Sequence, residues 1–297
     1  MSALVLLVLC FAAGAIARRS RTLPEDSHRA VNAWVMLISL PALAFRSIHA
    51  APLAPALFAS AAALWLVFLV PAALVWLMIR RGASRELGAV ALCGGLSNTA
   101  FVGLPLIEAL GGKAALGPAA VADQLGTFLA LFLFAIPWAT AVGGGALSLG
   151  ATLKKLLRAP AIAALVVALA LHDVAVPAAV ATVIDRLADM LSPLALASVG
   201  WQLDVSAIRG NGRRIAAGLG WKLVLAPAMV AGILWLARGG IGPTERVVVA
   251  QAAMAPMVTA GVVAADHKLA PALASALIAV GVPLSLLTVT AWWHLLG

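Results

Sequence analysis

The stretch Gly94-Gly95-Leu96-Ser97-Asn98-Thr99-Ala100-Phe101-Val102-Gly103-Leu104-Pro105 sets three helix-capping side chains in the middle of an apolar run. Ser, Asn and Thr start helices because their side-chain oxygens accept from N–H groups that a first turn leaves over. The glycine pair ahead, and Gly103 and Pro105 behind, weaken a helix further. Apolar residues flank the stretch on both sides. The pattern therefore predicts a membrane helix interrupted near its middle, with Gly103 and Pro105 as part of the break.

The surrounding composition fixes the solvent. Of 297 residues, 64% are hydrophobic and 10% charged, and the mean hydropathy is +1.08. Soluble domains run at roughly half apolar and a quarter charged. Runs such as Leu64 to Ile79 do not alternate as barrel strands do, so the backbone must satisfy itself in helices. The net charge of +9 and pI near 11.0 could suggest nucleic acid. Here the Lys and Arg residues lie in short loops, so the charge speaks for topology and contact with the lipid bilayer. Cys10 and Cys93 fall in apolar segments and imply no disulfide.

Segmenting at charges, Gly and Pro gives ten spans, near 2–17, 30–48, 56–79, 88–110, 118–142, 158–172, 179–203, 215–237, 247–265 and 270–296. The odd connections hold fourteen Lys and Arg: Arg18, Arg19, Arg21, Arg29, Arg80, Arg81, Arg85, Lys154, Lys155, Arg158, Arg209, Arg213, Arg214 and Lys268. The even ones hold three, Lys113, Arg238 and Arg246. Cytoplasmic loops carry the excess. The expected location is thus the cytoplasmic (inner) membrane with both termini outside. Nine Trp and no Tyr fit this picture, with Trp76, Trp138, Trp201, Trp235, Trp292 and Trp293 expected at the interfaces.

The two halves echo each other. Trp65 and Pro71-Ala72 recur as Trp221 and Pro227-Ala228, 156 residues on. Leu116-Gly117-Pro118-Ala119 resembles Leu269-Ala270-Pro271-Ala272, and Pro41 matches Pro193. Residues 1–149 and 150–297 then form two five-span units of opposite orientation, the inverted repeat of secondary transporters. The repeat pairs the interrupted fourth span with the ninth, Gln251-Ala252-Ala253-Met254-Ala255-Pro256-Met257-Val258-Thr259, where Pro256 lies near the middle. Helices restarting at Asn98 and Pro256 would direct positive dipole ends inward from opposite sides, which suits a carboxylate. Ser97, Asn98, Thr99, Ala255, Pro256, Met257, Thr259 and Gln124 are the expected substrate-binding residues, and Gly103, Pro105 and Pro256 the expected helix breakers.

Asp123 is an acid inside an apolar segment. It reads either as a carrier of a coupling proton or as an interfacial acid paired with Lys113 or a backbone donor. Lys222, about two turns into its span, reads as snorkelling to the interface rather than drawing an anion inward. Arg46, His49, Glu108, Asp185, Arg186 and Asp189 read as interfacial or solvated. A membrane enzyme is the competing class, but there is no H-E-x-x-H pair and no G-x-S-x-G turn. A cation/proton antiporter would want paired acids near the breaks.

Leu96-x-Asn98-Thr99-x-x-x-Gly103-x-Pro105-Leu106, followed by Ala109 and Gly112, resembles the auxin efflux carrier family, which includes bacterial carriers of malonate- and malate-like acids. Gln251-Ala252-Ala253 with Pro256, Pro271, Asp123-Gln124 and Gly200-x-Gln202-Leu203 extend the resemblance over nearly the whole chain. Plant members carry a proline where Ser97 stands, and their other proline sits one place from Pro256. The resemblance implies a scaffold of spans 1, 2, 6 and 7 and a moving unit of spans 3 to 5 and 8 to 10, with spans 4 and 9 crossing at the site. The partners expected are a small organic anion and the bilayer, with a second copy as a homodimer also entertained. No cofactor, metal or nucleic acid is expected.

Overall fold

The computed structural model describes residues 2–20, 24, 26–50, 55–145, 149–202, 208 and 210–297; Arg21, Leu203 and Arg209, used above, lie outside them. The described chain is helical. In order the helices are α1 (Ser2–Ser20), α2 (Ser27–His49), α3 (Pro55–Arg80), α4 (Leu87–Gly95), α5 (Thr99–Gly111), α6 (Lys113–Gly143) and α7 (Leu149–Leu157). There follow α8 (Pro160–Ala170), α9 (Ala178–Asp189), α10 (Leu191–Gln202), α11 (Gly212–Arg238), α12 (Pro243–Ala252), α13 (Val258–Asp266) and α14 (Pro271–Leu295). Five of them, α2, α3, α6, α11 and α14, are long and apolar enough to cross a membrane, and α5 and α8 are shorter apolar helices. This is the make-up of a polytopic membrane protein.

Two stretches and one side chain depart from the sequence reading. Residues 149–157, expected within a connection, form the helix α7. The stretch 179–203, expected as one span, divides at Met190. Pro193 has no N–H for the Asp189 carbonyl, so the chain restarts at Leu191 with the proline in its first turn. Arg46, expected to be solvated, is ion-paired to Asp189 at 2.8 Å and to Asp185 at 3.4 Å.

Prolines inside the long helices set their winding. A proline at position i leaves the carbonyl at i−4 without its donor. Four times that carbonyl lies at the centre of a π-wound segment. Leu37 lies in Val35–Ser39 before Pro41, and Phe101 in Thr99–Gly103 before Pro105. Leu133 lies in Leu131–Ala135 before Pro137, and Leu223 in Trp221–Leu225 before Pro227. Widening the turn lets the carbonyl clear the proline ring.

Tryptophans then take carbonyls left over in this way. Trp292 Nε1 donates to Leu223 O at 3.0 Å. Trp221 Nε1 donates at 3.1 Å to Val67 O, four residues before Pro71. Trp65 Nε1 donates at 2.8 Å to Leu125 O, which the Leu129 N–H bypasses for Gln124 O in a fifth π segment, Ala122–Phe128.

In lipid an unanswered carbonyl has no water to turn to. Trp221→Phe is therefore expected to destabilise the protein by about 1–3 kcal/mol, read as a lower melting temperature in detergent. Trp235→Phe, at a residue 57% exposed, should change nothing. Equal melting of the two variants would mean that Val67 O does not depend on the indole.

The backbones of α1 and α10 approach each other closely. A Cβ at Gly14 would overlap the Ala197 carbonyl, and one at Gly200 the Phe11 carbonyl. Small residues allow such approach where lipid gives helices no hydrophobic reason to associate.

Candidate functional site

Two helical runs break at the same place. α4 ends at Gly95 and α5 begins at Thr99, while α12 ends at Ala252 and α13 begins at Val258. The open segments pair with each other. The Asn98 N–H donates to Ala255 O at 2.8 Å and the Met257 N–H to Leu96 O at 2.9 Å. Ser97 and Pro256 face each other between these bonds as an antiparallel bridge. Theirs is the pair that exchanges no hydrogen bonds of its own, so the missing N–H of Pro256 leaves nothing unmet. Non-helical backbone is thus tolerated in the interior because each break answers the other.

The first break lies wholly before Gly103 and Pro105, which were expected to help make it. Both sit within the helix α5, at its passage from π to α winding. Gly103 serves another purpose: a Cβ there would overlap Gln251 Oε1. Ala255, Pro256 and Met257 are buried in the second break. Thr259 is half-buried in the first turn of α13 and forms no hydrogen bond to the crossing among the described residues.

Five polar side chains converge on the crossing with their orientations fixed by their partners. Asn98, 2% exposed, caps α5: its Oδ1 accepts from the Phe101 N–H at 3.2 Å. That bond fixes the amide, because the flipped form would set NH2 against N–H. The Nδ2 then points away, buried, with no acceptor. Thr99 Oγ1 donates to Asp123 Oδ1 at 2.5 Å, and Gln124 Nε2 to Asp123 Oδ2 at 2.8 Å. Gln124 Oε1 is left buried without a donor. Gln251 Nε2 donates to Ala119 O at 3.2 Å and to Thr99 O at 3.5 Å, and its Oε1 is likewise unanswered.

Lys222 is the residue the sequence reading misplaced. It does not snorkel. Its side chain is fully buried, and Nζ donates to Ser97 Oγ at 2.5 Å and to Ala252 O at 2.6 Å. A hydroxyl and the carbonyl end of a helix, offered inside the protein, replace the water a snorkelling lysine would seek. Asp123, in turn, is 2% exposed and hydrogen-bonds to Thr99 and Gln124, not to Lys113. Lys113 instead lines a half-open cavity of about 220 Å³ with Arg46, Glu108 and Asp189.

Asp123 and Lys222 both sit on π-wound turns, which recur at functional sites. Neither forms a salt bridge among the described residues. Helix ends compensate them instead. Asp123 reaches, through Thr99, the positive N-terminal end of α5, and Lys222 the negative C-terminal end of α12. Sequence reasoning missed Lys222 and, as a polar member of the site, Gln251. The signal for both was a hydrogen-bonding side chain inside an apolar run.

The sequence pattern of the family described as membrane transport protein matches residues 1–141 and 146–293 of the chain. No curated protein matches it.

Proposed function

The chain belongs to the membrane transport protein family, that of the auxin efflux carriers, and from that premise we propose a secondary carrier of small organic anions that works by alternating access. It is a carrier with no catalytic step. The observation that carries the cargo class is Asn98 Nδ2, a buried donor of fixed orientation, without an acceptor, beside two helix starts. A buried polar atom left unpaired is costly, and a carboxylate oxygen would meet it with a charge-assisted bond. Ser97, Thr99, Gln124, Ala255, Pro256, Met257 and Thr259 complete the proposed site.

The proposal includes ten spans in two inverted halves, residues 1–149 and 150–297, with both termini outside the cytoplasmic membrane. In its support, Val67 and Leu223 lie 156 residues apart, each precedes a proline by four, and each gives its carbonyl to a tryptophan indole. A cysteine at the exposed Lys154 should then resist membrane-impermeant reagents in intact cells; ready labelling from outside would reverse the orientation.

A second reading, a cation/proton antiporter, draws on two unanswered buried acceptors, Gln124 Oε1 on the residue that donates to Asp123 and Gln251 Oε1 against Gly103. Flux into proteoliposomes across mono- and dicarboxylates, alkali cations and neutral solutes separates the two. Saturable carboxylate flux is expected; cation flux alone would replace the anion reading by the second.

A further inference from the structure

Lys222 carries a charge into the centre of the protein that an anion site would not need in this place. Its ammonium lies behind the crossing, on the C-terminal end of α12, and not at the helix starts where the anion is proposed to bind. Its two acceptors are oxygens, Ser97 Oγ and Ala252 O. Ser97 Oγ also lies 3.5 Å from Ala252 O, so the three groups form one closed cluster. Lys222 belongs to α11, whereas its acceptors belong to the first break and to α12. The ammonium therefore ties both broken runs to a third helix.

Carriers built on inverted repeats use the same kind of place, unwound carbonyls and half-helix C-terminal ends, to hold a small coupling cation. Such ends carry partial negative charge and attract any cation of the right size. Here that position is filled by a cation covalently attached to the chain. A sodium ion could enter only by displacing an ammonium that is already desolvated and doubly bonded.

We propose that the Lys222 ammonium is a tethered counter-cation that closes the carbonyl side of the crossing, so that the carrier assembles and works without a bound metal cation, and that removing it turns Ser97 Oγ and Ala252 O into a site for a small free cation. This goes beyond the cargo reading and does not depend on which anion is carried.

The test is thermal unfolding of the purified full-length protein in detergent. Sodium, ammonium, methylammonium and choline chlorides are compared at equal ionic strength, with no cargo present. The wild type should melt at the same temperature in all four. Lys222→Ala should melt several degrees lower in choline, which is too large for the vacated space. Ammonium or methylammonium should recover most of that loss in a saturable way, as expected for a ligand that binds only the folded state. Lys222→Met fills the same space without charge, and should melt low and respond to none of the salts.

Specific stabilisation of the wild type by sodium would overturn the proposal. So would Lys222→Ala melting like the wild type in choline, or melting low with no recovery by the small cations. Should Lys222→Ala not survive purification in choline chloride, recovery in ammonium chloride alone supports the proposal, and recovery in neither overturns it. Because no organic anion enters the assay and chloride is the same in all four salts, its failure leaves the cargo reading standing, and a failed flux assay leaves this one standing.

Discussion

Asp123→Asn is expected to leave the protein folded and inserted while abolishing accumulation of cargo driven by a proton gradient. The fold should survive because the network can rearrange around the amide. Its oxygen keeps the bond from Thr99 Oγ1, and its NH2 faces Gln124. Gln124 then need only turn over to offer Oε1, the atom that has no donor in the native protein.

Coupling should not survive, because among the described residues the wild-type carboxyl is the one acid at the crossing and forms no salt bridge. An anion bound at the neighbouring helix starts repels the Asp123 carboxylate, so anion and proton favour each other's binding, and linkage makes that coupling reciprocal. With acid outside, a carrier of this proposed kind would bring one proton inward with the anion in each turnover. Such a carrier would accumulate cargo about tenfold per pH unit of gradient, since each unit supplies 1.36 kcal/mol. In proteoliposomes the asparagine variant should show no accumulation above the level without a gradient, while exchange of labelled for unlabelled anion continues. Gradient-driven accumulation equal to the wild type would leave Asp123 as no more than a structural acceptor for Thr99 and Gln124.

The breaks were legible in the sequence because they violate a local rule. Ser97-Asn98-Thr99 and Pro256 are wrong for the interior of a membrane helix, and natural chains keep such violations chiefly where function needs them. What holds the breaks open was not legible. Pro256 was expected to be the cause of the second break. Pro256 leaves Ala252 O without its helical donor, a carbonyl that Lys222 takes, and within the paired segments it faces Ser97 as the pair that exchanges no hydrogen bonds.

Gly103 and Pro105 were misread for a related reason. Helix weakness is a local property, but the close approach of Gln251 to Gly103 joins residues 148 apart and leaves no trace in either neighbourhood. The π windings, by contrast, were partly within reach, although Pro71 and Pro283 lie inside helices that stay α-wound. A proline four residues after a carbonyl marks four of the five. The fifth, Ala122–Phe128, has no such proline and carries Asp123 and Gln124. Lys222 shows the limit of reasoning from depth alone. Two turns from a helix end is compatible with snorkelling, and only the arrival of Ser97 and Ala252 decides against it.

The sharpest discrimination between the anion and cation readings is expected from Asn98→Asp. Alanine is a blunter probe at this position, because it also deletes the cap on Phe101, which costs about 0.5–2 kcal/mol of stability. Aspartate keeps an oxygen where Oδ1 accepts from the Phe101 N–H, so the start of α5 should persist. The change falls on the other atom. Nδ2, the buried donor without an acceptor, becomes a second carboxylate oxygen. An organic anion loses one charge-assisted bond, about 1.5–3 kcal/mol. It also meets a like charge, which at 4 Å and an effective dielectric of 20 costs about 4 kcal/mol more. Together these predict a loss of carboxylate transport on the order of a thousandfold or more, with surface expression and melting temperature close to the wild type. A cation/proton antiporter would respond in the opposite sense, since the variant adds a second carboxylate to the crossing that already holds Asp123. Carboxylate flux that survives Asn98→Asp would remove Asn98 from the binding site, and the site would then have to be sought along the half-open cavity lined by Arg46, Glu108, Lys113 and Asp189.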